Sequence, residues 1–317
     1  MKKILTIVVA ALCCATMFAS NTPLPGKFSV NANGDQVRFS DGYLAKSLTT
    51  GDLRIFDPQY KIGYGSIRWL YFCWGTGNNP TEKRVQVDKF VDWGVNPIGD
   101  DAEGNLWRTL SADEWQYIIS GREHAEYLCG LAKINIQTEE REYQGLMLFP
   151  DNLYLESGYD YDGDCLNLPD GITFESYKRN GNSFSYSHCS EYTEAQWEAL
   201  EQAGAVFMPE TYLWDGDDYM NYGGYNAVWC WTSTPAESSN SAKCLHITAD
   251  GKADQVIVDM LKHFSLPVRL VKNVDPSVAI ENIATPTDKA RKVMMDGQLF
   301  IAMPDGKIYN ATGAEVR

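Results

Sequence analysis

Two stretches of this chain follow the same plan, and together they restrict the fold more than any other feature. LSADEWQYIISG, residues 110–121, and YTEAQWEALEQAG, residues 192–204, each carry a hydroxylated residue followed three positions later by Glu or Gln. That spacing is a capping box, in which the first helical residues and the residue before them satisfy each other's hydrogen bonds. Ser111 with Glu114 and Thr193 with Gln196 therefore predict two helix starts. Trp115, Ile118 and Ile119 then share one face of the first helix, and Trp197 and Leu200 one face of the second, which Gly204 ends. Each helix is followed by an apolar run closed by proline and an acid: LMLFPD at 146–151 and AVFMPE at 205–210. A helix with one aromatic face must bury it against another layer. With 12% aromatic residues and turn residues at short intervals, the rest of the chain reads as short strands joined by long loops. The expected class is α+β, two helices packed on short antiparallel strands.

The first 20 residues, MKKILTIVVAALCCATMFAS, place Lys2 and Lys3 before an apolar run from Ile4 to Leu12 and end in small residues. This is the pattern of a secretory signal peptide, with cleavage expected near Ala19 to Thr22. The run is too short to span a bilayer, and no later segment supplies a spanning helix. Removing the leader takes the formal charge from −15 to −17. Nucleic acid is therefore not an expected partner, because that affinity rests on Lys and Arg neutralising phosphates.

Six cysteines follow the leader, Cys73, Cys129, Cys165, Cys189, Cys230 and Cys244, and an exported chain permits them to pair. None has zinc-ribbon spacing. The histidines, His124, His188, His246 and His263, are scattered and form no HExxH motif, so a metal hydrolase is not expected.

GGYNAVWCWTSTP, residues 223–235, and AKCLHI, residues 242–247, both alternate in polarity across a polar loop, which predicts a hairpin centred on Glu237. In that register Cys230 faces Cys244 and Trp229 faces Leu245, with the tryptophans on one side and the cysteines, joined by His246, on the other. A cross-strand disulfide then fits. No local base stands ready to activate a catalytic thiol.

The core is expected to span 21–273. Residues 274–290, with Pro276, Pro286 and small polar residues, read as a linker. Residues 291–317 contain Asp-Gly turns at 296–297 and 305–306 between alternating strands and predict a β-hairpin or three-stranded tail.

FSVNANGDQVRFSDGYL at 28–44, FCWGTGNNPT at 72–81, WRTLSADEWQYII at 107–119, GLMLFPDN at 145–152, YTEAQWEALEQAGAVFMPE at 192–210, WCWTSTP at 229–235 and LPVRLV at 266–271 occur in an order that resembles the Fibrobacter-type major paralogous domain proteins of bacteria. That group is similar in fold to the formylglycine-generating enzymes, whose fold is a decorated C-type lectin-like one. The resemblance implies that Trp115 and Trp197 mark the two helices of such a core. It also implies a binding surface in the segment from about 225 to 271, where related proteins display variable loops. The closely spaced cysteine pair that binds copper in those enzymes is missing, as are the EPN, QPD and WND motifs of calcium lectins. The terminal DGQLFIAMPDGKIYNATGAEV resembles the C-terminal sorting modules of exported bacterial proteins, including the type IX secretion class.

Two aspartate-rich loops are candidate sites. In YDYDGDC, Asp160, Asp162 and Asp164 alternate, so a curled loop can bring their carboxylates onto a hard cation such as Ca2+, although EF-hand spacing is absent. LWDGDDYMNYGGY combines Trp214, Asp215, Asp217, Asp218, Tyr219, Tyr222 and Tyr225, the makings of a sugar-stacking surface, with Glu237, Ser239 and Asn240 in the following loop. The expectation is a non-catalytic, secreted or surface-held protein that binds a glycan or a surface protein, with no cofactor beyond the candidate calcium. A copper enzyme of the formylglycine-generating class and a structural subunit of a surface assembly are the alternatives.

Overall fold

The computed structural model describes residues 22–47, 50–61, 70–99, 104, 106–155, 165–215, 219–220 and 227–275, together with Lys307 and the tail strands between 291 and 316. The segment expected to be a signal peptide therefore lies outside the described residues, as do most of the expected linker and Asp160, Asp162, Asp164, Asp217, Asp218, Tyr222 and Tyr225. The chain is mixed α+β, mostly strand, and divides along its sequence into two compact units, the first ending at Val274 and the second beginning at Asp275. Among the described residues no helix is long and apolar enough to cross a membrane.

Both predicted caps are present. Helix α1 (Ala112–Gln116) has the Ser111–Glu114 capping box, and α2 (Glu194–Gln202) has the Thr193–Gln196 box. The first runs on into a turn of π-helix, Tyr117–Gly121, which brings Arg122 inward so that its Nε donates to the Ile118 carbonyl. Where α2 ends, Gly204 has φ +96° and lies against Gly26. A Cβ at Gly204 would stand 2.6 Å from the Gly26 backbone, so both the turn and the close approach require glycine.

Trp115, Ile118 and Ile119 are fully buried, and the Trp115 ring lies 5.5 Å from that of Phe39. Trp197 packs on Phe207 at 5.7 Å. Burying roughly 200 Å² of each tryptophan is worth up to about 5 kcal/mol per ring, which is why these short helices are stable where they lie. The apolar runs that follow the helices pair with each other. Strand Arg141–Leu148 is antiparallel to Val206–Pro209, with Val206 opposite Leu148 and Pro209 opposite Gly145. Strand Cys129–Ile136 continues this sheet, and Ser190–Thr193 closes it in parallel.

The two ends of the core are sheet neighbours, since Leu270–Asn273 lies between Gln36–Phe39 and Arg108–Thr109. A third sheet has the strand order Tyr219–Met220, Leu213–Trp214, Ser265–Leu266, Phe72–Cys73. Beside it stands the three-stranded sheet of Ala227–Pro235, Ser241–Thr248 and Ile257–Leu261.

The expected hairpin is present, but its register differs by one residue. Cys230 faces Leu245, Trp231 faces Cys244 and Trp229 faces His246. The turn is centred between Ser238 and Ser239 rather than on Glu237, since Pro235 faces Ala242 and Ala236 N–H bonds the Ser241 carbonyl, and an irregularity in the first strand between Trp231 and Pro235 shifts the pairing partly back. A slip of one residue sends a side chain to the other face. Cys230 consequently packs with Phe39, Trp115 and Leu245, whereas Cys244 joins Trp229 and Trp231 in a different cluster. The Cys230–Cys244 bridge is not formed.

The second unit, described by itself, is a four-stranded antiparallel meander rather than a hairpin or three strands: Arg291–Met295, Gln298–Ala302, Ile308–Asn310 and Glu315–Val316. The short final pair, opposite Ile308 and Tyr309, carries too little alternation to announce a strand.

Candidate functional site

The region around the 236–241 turn is organised by buried tryptophans. Trp231 Nε1 donates to the Phe72 carbonyl at 2.7 Å, and Trp74 Nε1 donates to the Thr232 carbonyl at 2.9 Å. These bonds tie the hairpin to strand Phe72–Cys73, from which the chain loops out and returns when Gly77 N–H bonds the Val91 carbonyl. Within that excursion, residues 82–87 lie as a strap across the end of the core. Ser265 Oγ donates to the Glu82 carbonyl at 3.0 Å and Cys73 Sγ to the Lys83 carbonyl at 3.3 Å. Lys262, 3% exposed, holds the far end through Nζ and the Val87 carbonyl while lying 4.7 Å from the Trp74 ring centre.

The strap joins the two loops singled out from the sequence. Arg84 Nη1 stands 3.5 Å from Asp215 Oδ2, and Arg84 Nη2 is 3.2 Å from His263 Nε2. Two residues on, Gln86 Nε2 donates to Asn240 Oδ1 at 2.7 Å, and the Asn240 carbonyl accepts from Lys262 N–H. Ser239 Oγ also approaches Asn240 Oδ1, at 3.4 Å. Glu237, Ser239 and Asn240 are exposed, and Asp215 is half-buried. The result is a polar rim of Asp215, Arg84, Gln86, Asn240, Ser239 and Glu237 on a rigid apolar base.

Trp214 does not belong to this rim. Its ring is 4% exposed and forms part of the central core cluster, so it has no face to offer a ligand. Tyr219 pairs with it across strands Leu213–Trp214 and Tyr219–Met220. Strand pairing is the reason: Trp214 also faces Ser265 in the next strand, which puts it inside the sheet rather than on a loop.

Arg84, Gln86 and His263 were not apparent in the sequence. The bonds that bring them in span 179 residues for Arg84–His263 and 154 for Gln86–Asn240, and no local periodicity announces such pairs. The basic doublet Lys83–Arg84 in a very acidic chain is the only signal that could have pointed to the strap.

The protonation states do not favour acid–base chemistry. His263 lies below its ordinary value of 6.5 through burial and the neighbouring Arg84 charge, with Asp215 offsetting part of this. A neutral His263 accepts from Arg84 at Nε2, which makes its 3.7 Å approach to Asp215 a contact rather than an ion pair. His246 is also lowered by burial, and it stacks on Trp229 with ring centres 3.8 Å apart. Burial pushes the Cys230 thiol up to about 12 and raises Cys244. Among the described residues no three His, Cys, Asp or Glu side chains converge as a metal site.

A depressed histidine value means that the unfolded chain takes up the proton first. Stability from His246 and His263 is therefore fully present above 6.5 and is lost as the pH falls below it. We expect the imidazole C2–H resonances of both to titrate below 6.5 in the folded protein. Midpoints at or above that value would contradict the packing described.

No family model matches the chain, and comparison with curated proteins and with solved structures returns no match.

Proposed function

We propose that this chain is an exported, non-catalytic binding protein whose core is a C-type lectin-like domain of the formylglycine-generating-enzyme kind, and that its ligand is a glycan met at the strap and the 236–241 turn. The observation that carries this reading is the rim itself. Asp215, Gln86, Asn240 and Ser239 present carboxylate, amide and hydroxyl groups; Arg84 is held by Asp215 and His263, and Gln86 and Asn240 by each other and by the Lys262 backbone. A ligand rich in hydroxyls needs donors and acceptors in fixed positions, and fixing them beforehand reduces the entropy lost on binding.

The leader and the acidic composition support export. The enzyme alternative requires two thiolates on one copper ion. Cys230 and Cys244 lie on opposite faces of their sheet, and burial holds both thiols protonated, which weighs against it.

The test is a glycan array, with and without calcium, on the parent and on Asp215→Asn and Asn240→Ala variants. A restricted set of glycans should bind, and each substitution should weaken the signal about tenfold, the usual cost of one well-placed hydrogen bond to a charged or rigid group. Calcium dependence would support a cation site at Asp160, Asp162 and Asp164, and binding indifferent to calcium would remove it. If no glycan binds above background, the glycan reading falls and a surface protein takes its place as ligand.

A further inference from the structure

The opposite end of the same hairpin carries a groove that the proposed site does not use. Strand Ser241–Thr248 spans roughly 24 Å from the 236–241 turn to the turn at 249–251. Beyond the latter lies an open groove of about 510 Å³, within the range of small-ligand sites. Its walls are the 177–183 turns, the 252–254 segment and the end of the π-helix, contributing Lys178, Asn182, Lys252, Asp254 and Ser120, with Glu126 beside them.

These walls are fixed to one another by the backbone. Phe184 N–H bonds the Gly251 carbonyl at 2.9 Å and Asp250 N–H bonds the Phe184 carbonyl at 2.7 Å, with a bridge between Ser183 and Lys252. Lys178 N–H bonds the Glu126 carbonyl at 3.2 Å, and Gln116 Nε2 donates to the Ala253 carbonyl at 3.0 Å. Asn182 and Asp250 adopt φ of +65° and +69°, the left-handed conformation that Asn and Asp tolerate best after glycine. The floor is apolar and closed: Tyr177 is 4% exposed and donates its hydroxyl to the Ile119 carbonyl.

The charges, by contrast, are uncommitted. Several surface Lys and Arg elsewhere pair with acids, as in Lys61–Glu139, Lys133–Glu191 and Lys243–Asp259. No ion pair among the described residues engages Lys178, Lys252, Glu126 or Asp254, although all four line one groove. Two ammonium groups match one carboxylate. The neighbouring acids and Asn182 suit hydroxyl donors, whereas a multiply charged phosphate or sulfate ester would be repelled by Glu126 and Asp254.

We infer that this groove is a second binding site, for a carboxylated sugar of the uronic acid class, with Lys178 and Lys252 holding the carboxylate and Glu126, Asp254 and Asn182 receiving the hydroxyls. It is independent of the glycan reading at the strap, which Asp215 and Asn240 variants test. The experiment is calorimetric titration of the full mature chain with methyl galacturonoside, which carries a single carboxylate, and with the matching neutral methyl galactoside. The acidic sugar should bind at least about tenfold more tightly than the neutral one, and a Lys178→Ala/Lys252→Ala variant should lose at least that factor. A Lys89→Ala variant controls for the simple loss of an exposed positive charge and should bind as the parent does. Both lysines of the groove are exposed, so unchanged thermal melting of the double variant is expected and checks its fold. Equal binding of the two sugars, no binding of methyl galacturonoside by the parent, or full binding by the double lysine variant would each overturn the assignment.

Discussion

Asp151→Ala is expected to destabilise the core by about 3 kcal/mol, the lower part of the range for breaking a buried ion pair from one side, because the carboxylate keeps some contact with solvent. Its partner, Arg122, has a side chain only 1% exposed, against 27% for Asp151, and the two meet at 2.7 Å through Nη1 and Oδ1. The second carboxylate oxygen accepts from Ser29 N–H at 2.8 Å, Ser29 Oγ at 2.7 Å and Gln36 Nε2 at 3.2 Å. One aspartate thus connects the π-helical turn after α1 to strands Phe28–Ser29 and Gln36–Phe39. With alanine in its place, Arg122 would keep its bond to the Ile118 carbonyl and its place 5.2 Å from the Phe28 ring, but would lose its counter-charge. Urea denaturation measures the loss. Adding Arg122→Met to the alanine variant should recover a good part of it, since the uncompensated cation is then gone. A cost under about 1 kcal/mol for Asp151→Ala, or no recovery in the double variant, would show that water or another group balances the charge.

Asp151 also shows where the sequence was legible and where it was not. Both helices could be read, because a capping box and an amphipathic face are local, and the structure has Ser111, Glu114, Thr193 and Gln196 in those roles. The recurrence of an apolar run after each helix was visible too, but not that LMLFPD and AVFMPE pair with each other, a contact between segments about sixty residues apart. The proline and acid closing the first run read as punctuation, although the acid anchors a cation from the preceding helix. In the hairpin, alternation correctly gave two strands with two faces. It could not give the register, since neither the turn centre between Ser238 and Ser239 nor the irregularity between Trp231 and Pro235 leaves a mark in the residue pattern. The rim was half legible: Asp215, Glu237, Ser239 and Asn240 sit in loops rich in polar residues, whereas Arg84 and Gln86 enter only through the long excursion from Phe72–Cys73. Trp214 was misjudged for the opposite reason, because composition suggested an exposed aromatic loop where a strand carries the ring inside.

Trp231→Ala should be more damaging still, at about 3–5 kcal/mol, the usual range for emptying a buried aromatic site. Trp231 is fully buried in the cluster that includes Phe72, Trp74, Trp93 and Leu266, so the cavity would open beneath the strap rather than at the surface. The backbone N–H of Trp231 bonds the Pro267 carbonyl and survives the change, whereas the indole bond to the Phe72 carbonyl does not. Trp231→Phe separates the two losses. Phenylalanine fills much of the volume and leaves the carbonyl without its donor, so about 1–3 kcal/mol is expected, against a few tenths for the exposed Ser239→Ala on the same hairpin. The phenylalanine variant also bears on binding, because strand Phe72–Cys73 supports the strap through the Cys73 and Ser265 side chains. If the rim recognises its ligand by being held in place, Trp231→Phe should weaken glycan binding while touching no ligand atom, and at temperatures where the variant is fully folded. Unaltered affinity together with lowered stability would mean that the rim is positioned by Arg84, Gln86 and Lys262 alone, and that the tryptophan beneath it serves the core only.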